Sequence, residues 1–226
     1  MKKIIFFTFL MCFLSICSQE TEIKTLTMSP FIGLKVYTNI DVNLIESDVN
    51  KAIISGENSE FVVLSSKGGV LKIRVSGGNI LSSGRTKIDL YYSKKLNFIG
   101  AYQGSIIYST FPIKQNSIIL ASRGNSKIDL DVYCDSLDTS VSFSGRVFLK
   151  GKVKNHTLSY GTSGICEADK LATNQTKTKS YGGAYAYINA NSLIEANLVG
   201  GKLRVFGRPL KSITQQALGA KIITEE

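Results

Sequence analysis

Short stretches of alternating apolar and polar residues run along most of the chain, and a period of two residues predicts β-strands. The alternation begins at Leu34 and continues through Leu44. Further strands are predicted over residues 52–55, 61–64, 70–75 and 87–92, separated by turns rich in Gly, Ser or Asn. Beyond the apolar N-terminal segment no helical period fills a window of about 11 residues, and only Thr214 to Ala220 predicts a short helical turn. The chain is therefore predicted to be all-β.

In the second half of the chain one short frame repeats six times: a glycine or serine at a corner, then residues in the order any, apolar, any, apolar. The first apolar positions are Ile106, Ile128, Val147, Cys166, Tyr185 and Leu203. Their spacings, by subtraction, are 22, 19, 19, 19 and 18 residues. One strand in each repeat of about 20 residues is typical of a stacked solenoid. We therefore predict a single-stranded, β-helix-like β-solenoid with a period of about 19 residues and a strand-rich N-terminal unit.

The same patterns divide the chain into three regions. Residues 1–18 have the composition of a signal peptide, since two lysines precede a mostly apolar run over residues 4–16 that is too short to cross a bilayer comfortably. Residues 19–95 form the predicted N-terminal β unit, and residues 96–226 hold the solenoid repeats with a C-terminal cap. We therefore expect an exported protein of the periplasm, the outer membrane surface or the extracellular space.

The predicted cleavage follows Ser18, which is a small residue. The alternative is lipidation of Cys17, because residues 14–17 resemble a lipoprotein box, although Ile16 occupies the place of a small residue. Such a lipid would be the predicted contact of the chain with a membrane.

Two cysteines follow the leader, Cys134 and Cys166, and an exported chain can hold a disulfide. The repeat frame places them at different corners, because the residue 19 positions beyond Cys134 is Val153. Cys166 falls in the inward column, where a buried thiol packs as a small hydrophobe. The sequence leaves open whether the two cysteines are bonded. The inward positions also hold Tyr185 and Tyr187, which are therefore assigned to the core.

The chain carries a formal net charge of +10, with 27 basic against 17 acidic residues. A basic surface favours anionic partners such as an acidic glycan, lipopolysaccharide or anionic lipid, and solubility alone is the alternative explanation. No run of five basic residues occurs, and an exported protein seldom meets nucleic acid. No nucleic-acid partner is therefore predicted.

Glycoside chemistry on a solenoid would need paired carboxylates on the outward side of neighbouring turns. The outward position between the two apolar positions holds Ile107, Asp129, Phe148, Glu167, Ala186 and Arg204. Asp129 and Glu167 are two turns apart, roughly 10 Å by the strand spacing, with Phe148 between them. We therefore predict no catalytic residues, and a carbohydrate-active enzyme is the least favoured alternative.

A local acidic run contains four aspartates, at Asp129, Asp131, Asp135 and Asp138. Oxygen ligands of this kind could bind Ca²⁺ weakly, but we favour a solvated turn that balances the basic surface. His156 has no His or Cys close to it in sequence. We predict no metal site and no cofactor.

Tyrosines concentrate in two neighbouring repeats, and exposed aromatic rings stack on sugars or anchor protein partners. Tyr160 and Tyr181 are the surface candidates, and Lys177 and Lys179 would supply positive charge beside them. We predict that these four residues form a ligand-binding strip for an acidic glycan or lipopolysaccharide.

The motifs of the strands and corners resemble those of a known family. They are the opening Phe31-x-x-Leu34-x-Val36, the segment Ile54–Asn58 followed by Gly69–Ile73, and glycine corners such as Ser142–Gly145 and Gly161–Gly164. In these the chain resembles the head GIN domain family, exported Gram-negative envelope proteins described as putative autotransporter adhesin heads. The resemblance extends from about residue 26 to 224, while the corners at 122–125 and 181–183 depart from the usual Ser-Gly-Ser-Gly. It implies a β-solenoid with an adhesin-like surface role and supplies no active-site residues.

These observations together predict a non-catalytic, exported envelope or cell-surface binding module of adhesin-like type. Its expected partner is an acidic glycan or another envelope component. The alternative is a structural scaffold whose partner is another envelope protein.

Overall fold

The computed structural model describes residues 23–77 and 84–225, so the predicted signal peptide, with Ser18 and Cys17, lies outside the described residues. Strands make up 70% of the described residues, and the fold is a β-solenoid of about 7 turns with a stacking period of about 19 residues. This confirms the predicted fold class. None of the helical structure in the described part is long and apolar enough to cross a membrane.

The described residues form 18 strands and one short 3-10 turn, Ser59–Phe61. The first eleven strands are β1 Lys24–Thr27, β2 Gly33–Val36, β3 Ile40–Glu46, β4 Lys51–Gly56, β5 Val62–Lys67, β6 Val70–Val75, β7 Thr86–Tyr92, β8 Phe98–Tyr102, β9 Ile106–Ser109, β10 Ile113–Lys114 and β11 Ser117–Arg123. The others are β12 Lys127–Ser142, β13 Arg146–Gly161, β14 Ile165–Tyr181, β15 Tyr185–Val199, β16 Lys202–Phe206, β17 Lys211–Ala217 and β18 Lys221–Thr224. Each of the long strands β12 to β15 makes most of one solenoid turn.

The path of one turn is clearest in β12. Its buried residues alternate along two segments, 127–133 and 136–142, and the alternation breaks at residues 134–135 between them. A tight corner at residues 143–145, whose first two residues have positive φ, then leads into β13. Each turn therefore adds one segment to each of two stacks of strands.

The two stacks follow from the pairing of the strands. The first stack has the order β1, β4, β7, β3, β9, then the first halves of β12, β13, β14 and β15, then β16 and β18. The second stack has the order β5, β6, β2, β8, β11, then the second halves of β12 to β15, then β17. Pairing is antiparallel at the N-terminal end, where β1, β4 and β5 lie, and parallel beyond it. The N-terminal strands therefore continue both stacks.

The inward column of the first stack is shifted by one residue in two of the six predicted repeats. Its members in the structure are Ile107, Ile128, Val147, Cys166, Ala186 and Leu203. The predicted inward positions of Ile106 and Tyr185 are wrong, and so are the predicted outward positions of Ile107 and Ala186. The physical reason is that the buried corner residues are Ser105 and Ala184, each one position beyond the glycine that the sequence pattern took as the corner.

Corner positions such as Gly145 and Gly164 need small residues because they touch the backbone of the preceding turn. A Cβ atom on Gly145 would lie 2.3 Å from the carbonyl oxygen of Ser122. At the equivalent position one turn earlier, the Ser126 hydroxyl donates a hydrogen bond of 2.7 Å to the Ala101 carbonyl oxygen. Glycine and serine at the corners therefore set the close stacking of successive turns.

The two cysteines of the described chain are both free. Cys134 stacks beside Val153, as the repeat frame predicted. Cys166 is buried in the inward column, and this burial raises the pKa of its thiol to about 12. The disulfide that the sequence left open is therefore not formed, and Cys166 acts as core packing.

The C-terminal tail adds one more turn to the ladder. β17 pairs in parallel with β15, and β18 pairs in parallel with β16. The helical turn predicted from Thr214 onward is wrong, because β17 occupies that part of the chain. The reason is tertiary: the edge of β15 offers a row of backbone hydrogen bonds, and such pairing overrides a weak local preference.

Candidate functional site

The structure separates the four residues of the predicted ligand strip. Lys177, Lys179 and Tyr181 lie at alternate positions of β14 and face outward from the second stack, where Tyr181 is 48% exposed. Tyr160 is 0% exposed, so its predicted surface position is wrong. The second half of β13 turns its even-numbered residues inward, and the Tyr160 hydroxyl donates a 3.4 Å hydrogen bond to the Lys202 carbonyl oxygen.

Lys177 and Lys179 line a groove of about 580 Å³ on this outer face. Its outward side chains form two columns across β13, β14, β15 and β17: Thr157, Lys177, Glu195 and Ile213 in one, and Ser159, Lys179, Asn197 and Gln215 in the other. The volume falls within the roughly 300–1,000 Å³ of small-molecule sites. The groove offers hydroxyl, amide, carboxylate and ammonium groups to a polar ligand. We call it the lysine groove.

The charges in the lysine groove are only partly compensated. The ammonium nitrogen of Lys177 lies 3.0 Å from a carboxylate oxygen of Glu195. Lys179 forms no ion pair within residues 23–77 and 84–225. The groove therefore carries one cation that an anionic ligand could pair with, on a chain that is basic as a whole.

Tyr181 lies beside the lysine groove, two residues beyond Lys179 on the same face of β14. Its ring covers the backbone of Gly161 in the neighbouring strand, since a Cβ atom on that glycine would fall within 2.6 Å of three ring atoms. With the ring resting on the sheet and about half of the residue exposed, Tyr181 provides an aromatic surface of the kind that stacks on a sugar ring.

A second polar and aromatic surface, which we call the aromatic–basic strip, consists of Tyr185, Tyr187, Lys202 and Arg204 on the outer face of the first stack. Tyr185 pairs with Lys202 and Tyr187 with Arg204, and the cations lie 5.5 and 5.9 Å from the ring centroids. The prediction that both tyrosines fill the core is wrong: Tyr185 is 41% exposed and Tyr187 is half-buried. The signal that could have revealed this surface is Ala184, a small residue directly after Gly183 that takes the buried corner position.

The carboxylates of the first stack are separated as the sequence predicted. Asp129, Phe148 and Glu167 are successive neighbours in the stack, so an aromatic ring lies between the two acids. The Asp129 carboxylate also lies 2.9 Å from the ammonium group of Lys127. With two strand spacings between them, the backbones of Asp129 and Glu167 lie roughly 10 Å apart.

Lysines also accompany the acidic run. Asp131 lies 4.0 Å from Lys150, and Asp135 lies 2.5 Å from Lys154. In the part of the chain that the structure describes, no group of three or more His, Cys, Asp or Glu side chains is arranged to hold a metal ion.

A model of a known protein family matches most of the chain. The model of a family described as putative auto-transporter adhesin, head GIN domain, matches residues 30–209. No curated protein matches the chain.

Solved structures share the fold over almost their whole length. A putative adhesin from Bacteroides fragilis has a TM-score of 0.82 at 19% sequence identity, with 92% of this chain and 98% of that chain covered. A putative adhesin from Parabacteroides distasonis has a TM-score of 0.68 at 21% identity, covering 91% and 97%. A putative lipid binding protein from the same species has a TM-score of 0.65 at 17% identity, covering 91% and 98%. At these identities the likeness establishes the fold.

Proposed function

The chain belongs to the family of putative auto-transporter adhesin head GIN domains, and from this premise we propose that it is a non-catalytic, exported, adhesin-like module that binds an acidic glycan. The observation that carries the proposal is the lysine groove with Tyr181 beside it. A concave surface on a rigid scaffold can hold a ligand without a conformational change.

Each part of the lysine groove matches a part of an acidic sugar. The hydroxyl and amide groups of Ser159 and Asn197 can exchange hydrogen bonds with sugar hydroxyls. The Lys179 ammonium can pair with a carboxylate or sulfate, and the Tyr181 ring can stack on a sugar face. The four strands that line the groove span about 14 Å at about 4.8 Å per strand, which is room for a short stretch of a glycan chain.

The lining of the lysine groove also favours binding over catalysis. Canonical glycosidases place two carboxyl groups about 5 to 10 Å apart across the bond that breaks. The groove is lined by one carboxylate, Glu195, and its charge is paired with Lys177. A carboxylate held in this way is suited to accept hydrogen bonds from a bound sugar.

The test compares two double variants that remove the same side-chain types from different surfaces. Lys179→Gln with Tyr181→Ala alters the lysine groove, whereas Lys202→Gln with Tyr185→Ala alters the aromatic–basic strip. Binding of oligogalacturonate and of uncharged oligogalactose would be measured by titration calorimetry. We expect the wild type to bind the acidic oligomer, the groove variant to lose about tenfold or more in affinity, and the strip variant to lose little, because a stacked ring and an ion pair each contribute about 1 kcal/mol.

Three outcomes would contradict the proposal. Equal losses in both variants would show that binding follows net charge rather than a site. Loss confined to the strip variant would move the site to the first stack. Absence of binding to any acidic glycan, together with recovery of a stoichiometric protein from the native envelope, would favour the scaffold alternative.

A further inference from the structure

The C-terminal turn leaves a free edge on both stacks. β17 is the last strand of the second stack and β18 the last of the first, and within residues 23–77 and 84–225 neither has a strand on its far side. All seven residues of β17 are exposed. Free edges of this kind present unpaired backbone groups to any strand that approaches.

The hydrogen bonds of β18 show which of its backbone groups face the free edge. The Lys221 N–H donates to the Gly201 carbonyl oxygen at 3.0 Å, so Lys221 faces β16 and not the edge. Since alternate residues of a strand bond to opposite neighbours, Ile222 and Thr224 direct their backbone groups away from β16. These two residues can therefore exchange hydrogen bonds with an added strand.

The same reasoning applies to β17. The Ala217 carbonyl oxygen accepts a 3.0 Å hydrogen bond from Gly200, so Ala217 faces β15. The alternate residues that face the free edge are Ser212, Thr214 and Gln216. Both edges therefore offer regularly spaced donors and acceptors at one end of the molecule.

The same end exposes large apolar side chains. Leu210 and Leu218, at the two ends of β17, are 89% and 83% exposed, and Ile213 and Ile223 are exposed on the outer faces of the same turn. Apolar side chains beside unpaired backbone are the combination that sheet proteins usually avoid unless the edge is covered.

We propose that this end binds the same end of a second copy of the chain, with each edge strand antiparallel to its counterpart across a two-fold axis. In β18, a register centred on Ile223 places Ile222 opposite Thr224 of the second copy, which matches the residues that face the edge. The same register places Lys221 opposite Glu225 of the second copy, and symmetry makes this ion pair twice, beside the 3.4 Å ion pair that Glu225 forms with Arg204 of its own chain. Charge complementarity therefore favours this register.

The β17 strands are compatible with the same arrangement. A register centred on Thr214 pairs it with its own counterpart and pairs Ser212 with Gln216 of the second copy, so that all edge-facing residues meet each other. Lys211 then lies opposite Ala217, so no like charges face each other. Threonine pairs across antiparallel strands are favourable, at about 0.2 to 1 kcal/mol each.

A two-fold contact would also leave neither β17 nor β18 with a free edge. It is isologous, so one association covers both free edges in both copies. A head-to-tail contact with the N-terminal end of another copy would instead leave a new free edge at each step and extend into a filament. The two-fold contact would also bring two lysine grooves together, since Ile213 and Gln215 of β17 line the groove, and a long glycan could then engage both.

The charged pair provides a test that does not depend on the glycan. The full chain, purified after export, would be examined by sedimentation equilibrium over a range of concentrations. We expect a monomer–dimer equilibrium for the wild type. Lys221→Glu or Glu225→Lys should each weaken the dimer by about tenfold or more, because both create like-charged pairs at the two symmetric positions.

A mixture of the two single variants supplies the decisive measurement. In the mixture each facing pair again holds opposite charges, so heterodimers should form where neither variant dimerises alone. Thr214→Pro removes an edge-facing N–H without touching the bonds to β15, and it should also weaken the dimer. A wild type that stays monomeric at its highest soluble concentration would overturn the proposal, as would a dimer that all these variants leave unchanged while circular dichroism shows them folded.

Discussion

At the scale of single residues, His156 links the stability of the fold to pH. It is buried in the second stack, its Nε2 atom lies 3.1 Å from the Thr139 hydroxyl, and its Nδ1 atom has no partner among the described residues. Burial disfavours the charged imidazolium and lowers the pKa of His156 from 6.5 to about 4. The folded state therefore binds this proton more weakly than the unfolded state does.

The direction in which pH changes the stability follows from the difference between the pKa of His156 in the folded state and its pKa in the unfolded state. As pH falls below about 6.5, the unfolded chain takes up the proton while the folded chain stays neutral until about pH 4, so stability is lost across this window. The loss should be on the order of 3 kcal/mol by pH 4. Urea unfolding of the wild type and of His156→Gln at several pH values would measure it, because carboxylate titration is common to both. A difference in unfolding free energy between the two proteins that stays constant from pH 7 to pH 4 would contradict this account.

At the scale of structural elements, the corner between turns is the part that fixes the stacking. A methyl group added at Gly145 would meet the Ser122 carbonyl oxygen at 2.3 Å, and this backbone atom can move only if the turns separate. Gly183 also lies in a corner, but a Cβ atom there meets nothing within 4 Å. Gly145→Ala should therefore lower the unfolding free energy by about 2 to 3 kcal/mol, whereas Gly183→Ala should change it by less than about 0.5 kcal/mol.

Thermal and urea unfolding of the two alanine variants would test this difference. The pair is matched, because both changes add the same methyl group and both remove the same backbone freedom from the unfolded chain. Equal effects at Gly145 and Gly183 would show that the close contact in the structure does not limit the stacking of turns.

The corners also explain how far the sequence could predict the elements. The period of about 19 residues was predictable, because most corners carry a glycine or serine at the buried position. The register of two strands was not, because Ser105 and Ala184 take that position just after glycines that match the pattern better. A slip of one residue exchanges the two faces of a strand, which is why the faces of Tyr185 and Tyr187 were predicted wrongly.

The candidate site, too, could be predicted only in part from the sequence. The positions of Lys177, Lys179 and Tyr181 on one face of β14 were predictable, since alternate residues of a strand share a face. Their neighbours in the groove were not, because Lys177 pairs with Thr157, 20 residues earlier, and with Glu195, 18 residues later. These offsets differ from the period because the register shifts where β14 meets β13 and β15.

At the scale of the whole molecule, the solenoid should unfold locally from its C-terminal end. Each turn contacts its neighbours only, so the stability of a turn depends on how many neighbours it has. The turns of β13 and β14 are paired on both sides, whereas β17 and β18 are paired on one side among the described residues. Amide hydrogen exchange should therefore be slowest in β13 and β14 and fastest in the last turn.

Within the last turn, exchange should also report on the contact between copies. In the monomer, the edge-facing amides of Ser212, Thr214 and Gln216 should exchange far faster than those of Ile213 and Gln215, which face β15. When the protein concentration is raised, dimerisation should slow the exchange of the edge-facing set, and Lys221→Glu should abolish this dependence. Mass spectrometry or NMR at two concentrations would measure both effects. Uniform protection from β13 to β18 at low concentration would contradict the turn-by-turn account, because it would mean that the solenoid opens as one cooperative unit.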